Sequence, residues 1–458
     1  MERRFEIRKH AILHDAQIKP QVAEGMLKRL EQFARPFVVS FARHDSQANV
    51  RMYLGGLLSD LGRKNVESIA YRYDRDRGGL QYFIGVSPWS HCPLQQELSR
   101  QVGTELGEAD GVIGFDPSGF PKCGTESVGV QRQWLGRLGK VDNGQVGVYM
   151  SYALRKEYAL VDQRLYLPRC WATDKRRRKK CGVPKTIGYQ ARHALALEML
   201  RTNGPLLPHA WITGDDEMGR SSGFRRDLRA LGERYLLAVP SNTGIRDRES
   251  PPPAYSGRGQ PPKQPFQRVD RWRTALDRQV WTRVDVRDGE KGPLVTEMMK
   301  RRVIARTERG KEGGAEELLV VTRTLEFNGT MKYDSYLSNA PAETSLEELA
   351  RVVKAGHRIE DGFKRAKSEA GLADYEVRTW AGWQHHQTLS LIALWFLILE
   401  TRRGKKIHPG IDGSPGSEPL GYRTAAGLQP DRSRLGTANH RTKKQTTRVG
   451  SILSLQAT

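Results

Sequence analysis

GVIGFDPSGF, Gly111–Phe120, is a short apolar run that closes on an aspartate and is followed at once by Pro117, Ser118 and Gly119. The pattern predicts a buried strand over Gly111–Asp116, with the Asp116 carboxylate at its C-terminal edge. WITGDDEMGR, Trp211–Arg220, repeats the arrangement: an apolar run ends at Asp215, and a helix start follows. In α/β sheets the carboxyl ends of strands are where sites form. Asp116 and Asp215 are therefore candidate site residues, although a strand-end aspartate also serves as a turn or cap residue.

The elements around these runs set the fold class. Gln145–Leu154 reads as a second strand, with Asp142-Asn143-Gly144 supplying turn chemistry before it. Helices over Gln190–Arg201 and Phe224–Leu231 alternate with apolar strands at Ala210–Asp215 and Arg234–Pro240. Strands alternating with helices give an α/β core, at least partly parallel, over residues 106–240. Before it, residues 1–105 read as helical, with Leu54, Leu57, Leu58, Leu61 and Ile69 near helical periodicity. After it, residues 241–340 turn β-rich: a Pro-rich loop (Pro251–Pro265), the alternating run Val280–Val286, and two apolar runs flanking Asn328-Gly329, a hairpin signal. Residues 341–402 return to helix. Thr344-Ser345-Leu346-Glu347 fits a capping box, Ile359, Phe363, Ala366 and Ala370 form one stripe, and Gly371 is a stop. A second helix, from Trp380 to Arg402, is apolar on most faces and should be buried. Residues 403–458, rich in Gly, Pro, Ser and basic side chains, read as a disordered basic tail.

Composition bounds the function. The chain has 458 residues, 75 Lys and Arg against 52 Asp and Glu, and a formal charge of +23. Such a surface attracts polyanions through counterion release, so nucleic acid is the expected partner. The start has basic residues but no apolar core of a secretory signal, and the longest apolar run, Leu389–Leu399, is too short to span a bilayer. Cys92, Cys123, Cys170 and Cys181 are scattered without metal-site spacing. These features predict a reduced, cytosolic chain with no membrane partner. The densest basic run, Lys175, Arg176, Arg177, Arg178, Lys179 and Lys180, is expected in a loop facing phosphates, or else as a solvated charge run. Trp272 and Trp281 read as packing residues, or else as rings that stack on an unpaired base, and the group Trp380, Trp383, His385 and His386 reads as packing and a helix start rather than as metal ligands.

Glu360 lies beside the apolar stripe of the long helix, with Lys367 two turns further along the same face. Two strand-end aspartates and a helical glutamate facing one pocket would suit Mg²⁺, which takes carboxylates, water and phosphate oxygens. Singly, a helical glutamate near a lysine is also a common surface ion pair.

Three blocks, Phe115–Ala153, Trp211–Arg220 and Arg358–His386, resemble insertion-sequence transposases of the DDE type. They resemble in particular the branch in which a β-rich insertion splits an RNase H-like core before the glutamate. The resemblance covers roughly residues 35 to 400 and implies a fold: an RNase H-like mixed sheet flanked by helices, interrupted by a β-rich insertion and preceded by a helical DNA-binding region. It implies Asp116, Asp215 and Glu360 as catalytic and metal-binding residues. In the family a glycine follows the second aspartate by four residues; Gly219 therefore points to Asp215, with Asp216 as the fallback. It also implies that Lys367 contacts substrate phosphate. The tyrosine and arginine that precede the glutamate in many relatives are Val353 and Gly356 here, so His357 or Arg358 would take the arginine's role.

The implied activity is cleavage and strand transfer with two Mg²⁺ ions, Mn²⁺ substituting, on double-stranded DNA. The substrates would be the element's terminal repeats and a target, bound by a homodimer on paired ends in the bacterial cytosol, associated with the nucleoid. Two rivals remain: an RNase H-like nuclease that cuts without joining, and an inactive relative that only binds DNA. The aperiodic tail also admits a frameshifted remnant.

Overall fold

The computed structural model describes residues 25–407, apart from 156, 252, 256, 260, 261, 263, 290, 291, 309–312, 327 and 328. Its first helices are α1 (Met26–Val38), α2 (His44–Leu57), α3 (Val66–Arg72), α4 (Arg77–Gly85) and α5 (Cys92–Leu106). Their starts follow local chemistry: the Asn65 side chain accepts from the Ser68 amide at the head of α3, and Asp76 accepts from the Gly78 amide at the head of α4. Leu54, Leu57, Leu58 and Ile69 are buried as their spacing predicts, and Leu61 packs partly buried against them.

A mixed sheet follows. It comprises β1 (Val112–Pro121), β2 (Gln131–Leu135), β3 (Lys140–Ala153) and β4 (Tyr158–Leu165). The chain then crosses through α6 (Arg192–Asn203) to β5 (Trp211–Gly214), and through α7 (Ser222–Ala230) to β6 (Tyr235–Val239). β3 is antiparallel to both β1 and β4, whereas β1, β5 and β6 run parallel, giving the order β4-β3-β1-β5-β6. This is an α/β architecture of the RNase H-like kind.

Three local readings need correction. β1 does not end at Asp116 but continues to Pro121 against β3. Its parallel pairing with β5 stops at Phe115↔Gly214, so Pro117, which has no N–H to give a ladder, lies where one side of the strand is already open. Asp142-Asn143-Gly144 is not a turn but part of β3, paired with β2. Gly144 is required there by close approach, because a Cβ would sit 2.6 Å from the Phe120 carbonyl oxygen, and the Asn143 side-chain amide donates to the carbonyls of Lys122 and Gly124. The turn lies instead at Gly136–Gly139, where Gly139 has φ 61°. β2 and β4 are additions to the expected strands. β4 was hidden because Asp162, Gln163 and Arg164 break its apolar run; Asp162 is nevertheless fully buried, held by Arg164 at 2.5 Å and Asn203 at 2.6 Å.

The β-rich stretch extends this sheet. Its strands are β7 (Gly244–Asp247), β8 (Gln267–Arg268), β9 (Thr282–Gly289), β10 (Gly292–Arg306), β11 (Gly313–Leu325) and β12 (Met331–Ser338). β12 joins antiparallel to β6, and the order runs on through β11, β10, β7 and β8. A buried pair stitches this extension to the core: Arg225 on α7 donates to Glu317 on β11 at 2.9 Å, and the Tyr235 hydroxyl on β6 donates to the same carboxylate. Asn328 of the expected hairpin lies outside the described residues; Gly329 has φ 80°.

Two long helices close the chain, α8 (Leu346–Glu369) and α9 (Trp380–Ile407). The cap of α8 is shifted by one residue from the expected box: Ser345, not Thr344, accepts from the Glu348 amide. Gly371 does stop the helix, with φ 66° and Leu372 N–H returning to the Ala366 carbonyl. α8 buries Leu349, Val352 and Ala355 on a sheet face with Val112, Trp211 and Leu236. α9 is buried as expected, and Arg29 on α1 clamps its Glu400 with two bonds of 2.7 Å. The helix runs past Arg403 because Arg402 and Arg403 pair with Glu157 at 2.8 Å and Glu400 at 2.9 Å. The expected tail beyond 407 lies outside the described residues. Among the described residues no helix is long and apolar enough to cross a membrane.

Candidate active site

Asp116 and Asp215 meet through the register of the parallel pair. Phe115 on β1 stands opposite Gly214 on β5, so the next residue of each strand is an aspartate, at the point where the strands part. Neighbouring strands lie about 4.8 Å apart, which brings the two carboxylates onto one site. Side chains alternate along a strand. Val112 packs with the first half of α8, and Ser118 accepts from the Lys367 ammonium of α8 at 2.8 Å. Asp116, between them and in phase with both, therefore faces α8.

α8 supplies the third carboxylate. Gly356, Glu360, Phe363 and Lys367 lie on one helical face. At Gly356 a Cβ would stand 3.1 Å from Thr213 Oγ1, so this turn rests directly on β5. Phe363 meets Tyr149, the residue opposite Asp116, with ring centroids 5.0 Å apart. Lys367 lies 5.2 Å from the Phe120 ring. Glu360 falls between these contacts, exposed, over Asp116.

The electrostatics agree. Burial first, then the negative charges of Asp215 and Glu360, hold the Asp116 carboxyl well above the usual range, and Lys367 opposes them. Burial also pushes Asp215 up to about 7, although its carboxylate accepts from the Met218 amide as the cap of a short helical turn. The cap reading and the site reading of Asp215 thus hold together. Asp216 points elsewhere: it is exposed and pairs with Arg220 at 3.4 Å. Glu217 is bound by Arg192 at 2.6 Å.

Among the described residues, no three His, Cys, Asp or Glu side chains are already set to hold a metal ion. Asp116, Asp215 and Glu360 repel one another while uncompensated. The donor set is nonetheless all carboxylate oxygen, without imidazole or thiolate, which fits a hard divalent cation such as Mg²⁺ rather than Zn²⁺.

The remaining sequence candidates separate. His357 is exposed, and Arg358 donates to the Arg155 carbonyl at 2.9 Å. The basic run is helical (Lys175–Lys180), not a loop, because Asp174 caps it by accepting from the Arg177 amide. Arg177 stacks 3.7 Å from the Trp171 ring centre and donates to the Thr125 carbonyl. Arg178 donates to the carbonyls of Pro184 and Ile187, and Lys180 pairs with Glu126. Lys175, Arg176 and Lys179 are exposed. His385 and His386 are packing residues, the first stacked on Trp89 at 3.6 Å and the second bonded to the Tyr53 hydroxyl at 2.7 Å. Trp272 is buried, and Trp281 lies under Arg323. Ser118 and Thr213 were missed by sequence reasoning; the period-2 phase of Ser118 with Asp116 was the signal for the first.

Residues 36–293, more than half of the chain, match the family described as DDE superfamily endonuclease. The chain belongs to the DDE superfamily endonucleases. This endonuclease is 29% identical over 234 residues to a probable transposase for insertion sequence element IS701 from Microchaete diplosiphon. The match takes in 49% of this chain and spans 57% of that relative's length. The endonuclease also resembles a chain of the piggyBac transposase synaptic complex with hairpin DNA. That likeness has 10% identity and a TM-score of 0.40, covering 90% of this chain and 79% of the other.

Proposed function

We propose that this endonuclease is an insertion-sequence transposase that cleaves element ends and joins them to target DNA. The observation that carries the reading is the juxtaposition of Asp116 and Asp215 across the β1–β5 pair beneath Glu360 of α8. In this reading Asp116, Asp215 and Glu360 hold the metal, with Asp215 preferred over the outward-facing Asp216. Two divalent ions, Mg²⁺ or Mn²⁺, would when bound supply an activated oxygen nucleophile and a stabilised leaving oxygen. The carboxylates also balance charge in a basic surface. Lys367, which donates to Ser118, would bind a phosphate oxygen beside them. His357 and Arg358, one turn earlier, are assigned to the phosphates next along the strand. Water would open the strand first, and the freed 3′-hydroxyl would then attack a target phosphate at the same carboxylates. The helical region before residue 105 would recognise terminal repeats, and two copies would pair the ends in the cytosol.

The test is incubation of DNA carrying the flanking element ends with Mg²⁺, with EDTA, and with the Glu360→Gln variant. Boundary nicks that need the metal and vanish in the variant, followed by joined products, are expected. Nicks without joining would make it a nuclease. Tight binding with no cutting in either Mg²⁺ or Mn²⁺ would leave a DNA-binding protein.

A further inference from the structure

The hairpin of β2 and β3 carries an apolar patch that the core does not use. Trp134 and Val141 are cross-strand partners, yet they are 58% and 50% exposed, and Leu138 at the turn is also exposed. Directly beside this pair on the same face stand Arg132 and Asn143, again opposite each other. Singly exposed apolar side chains are ordinary, whereas these are paired across two strands and flanked by a guanidinium, an arrangement that marks an interaction surface.

The patch lies on the catalytic side of the sheet. Along β3, Val141 and Asn143 are in phase with Tyr149, the partner of Asp116. Between them Tyr375 bonds Gln145 at 2.8 Å, and Trp383 covers Gly147. Beyond that cover the hairpin emerges, about 27 Å from Asp116 at about 3.4 Å per residue along the strand. The basic helix Lys175–Lys180 and the short helix before it, Arg169–Thr173, brace its base. Trp171 Nε1 donates to the Val130 carbonyl at 2.8 Å, Arg177 donates to the Thr125 carbonyl, and Cys170 donates to the Gln131 side chain. Exposed cations on the hairpin and on its brace therefore leave this end of the fold positive: Arg132, Lys175, Arg176 and Lys179. The nearby acids are engaged, Asp142 with Lys140, Glu126 with Lys180, and Asp174 as a cap.

We infer that the β2–β3 hairpin is a DNA-contacting β-ribbon that lies in a groove of the duplex roughly eight base pairs from the scissile phosphate, at about 3.4 Å per base pair. Trp134 and Val141 form its apolar contact, and Arg132 meets a flanking phosphate. A two-stranded ribbon fits the major groove, whose width is about 12 Å. A second copy of the chain is disfavoured as the occupant, because a twofold contact would set this cationic patch against itself. The inference rests on the DNA-cleaving reading and assigns the flanking duplex to a surface outside the carboxylate cluster.

The test is binding of the full chain to a long, fluorescently labelled random-sequence duplex without metal, by anisotropy across a salt series, for wild type, Trp134→Ala and Arg132→Ala. Trp134→Ala should bind about ten-fold more weakly with an unchanged salt slope, because it removes an apolar contact and no counterion release. Arg132→Ala should reduce the slope by about one. Both variants should keep the wild-type melting temperature, since the side chains are exposed. Wild-type affinity in Trp134→Ala overturns the hairpin while leaving duplex binding, and the cleavage reading, in place. A shift in sedimentation with unchanged DNA affinity makes the patch a contact between copies and also overturns it. Failure of the wild type to bind the duplex at all sinks both readings.

Discussion

In the proposed function Asp116 would carry the chemistry, and it reaches its place through register rather than through sequence context. The apolar run before it makes the strand, but its neighbour Asp215 comes from a different strand, and only the Phe115↔Gly214 pairing brings the two together. Burial and like charges raise the Asp116 carboxyl well above its usual range, so the pocket tolerates a neutral side chain better than an uncompensated anion. Asp116→Asn should therefore abolish cleavage, by roughly a thousand-fold or more, since a metal-holding oxygen is lost. It should leave duplex affinity within about two-fold and the metal-free melting temperature unchanged or raised, because like-charge repulsion is relieved. Gel cleavage, anisotropy and a thermal melt check the three limbs; equal loss of binding and cutting would remove Asp116 from the metal-holding role. Gly356 shows a departure explained by packing. The resemblance implies an arginine here, but α8 lies so close to Thr213 that a Cβ would already press on it.

At the scale of elements, α9 was legible and β1 was misread for reasons that differ in kind. An all-round apolar helix has one solution, burial, and Trp380–Ile407 found it between the sheet and the first helices. The end of β1 depended on whether a partner strand remained beside Pro117, which no local pattern encodes. β4 was hidden because Asp162 and Arg164, which look like surface residues, neutralise each other inside. Burying α9 has a consequence for pH. His386 is fully buried between the Tyr53 hydroxyl and the Gly371 carbonyl, and burial pushes its pKa down to about 3; burial likewise lowers His385 to about 4. The folded pKa values lie below the unfolded value of about 6.5, so the unfolded chain binds more protons in that interval. Stability from the neutral imidazoles is complete above about pH 6.5 and is lost as the pH falls toward 4 and 3. At about pH 5 the loss from His386 alone is about 2 kcal/mol. In denaturant titrations at about pH 7.5 and about pH 5, His386→Gln should lose less stability between the two than wild type, by about that amount. An identical pH dependence would mean that His386 is protonated in the fold or exposed.

Across the whole molecule, the charge of +23 announced a polyanionic partner but not where it binds. Composition treats the six cations of Lys175–Lys180 alike, whereas the fold divides them. Arg177 lies on Trp171 and donates to the Thr125 carbonyl, and Lys180 pairs with Glu126, so these two hold the helix to the segment that leads into β2, while Arg178 ties down the carbonyls of Pro184 and Ile187 in the stretch that follows it. Lys175, Arg176 and Lys179 stand exposed. Each phosphate neutralised contributes about 0.9 to the slope of log affinity against log salt on duplex DNA. Replacing the exposed three together by alanine should lower that slope by about 2.7, and should leave the melting temperature within a degree or so because no internal bond is lost. Replacing Arg177 and Arg178 should do the reverse: the melting temperature falls, since a stacked cation and the bonds to the carbonyls of Thr125, Pro184 and Ile187 go, while the slope moves little. Anisotropy over a salt series and a thermal melt on both variants separate the two effects. A slope untouched by loss of the exposed three would make them solvated charges, and the duplex would then have to follow another path across the basic surface, through Lys367 and the β2–β3 hairpin alone.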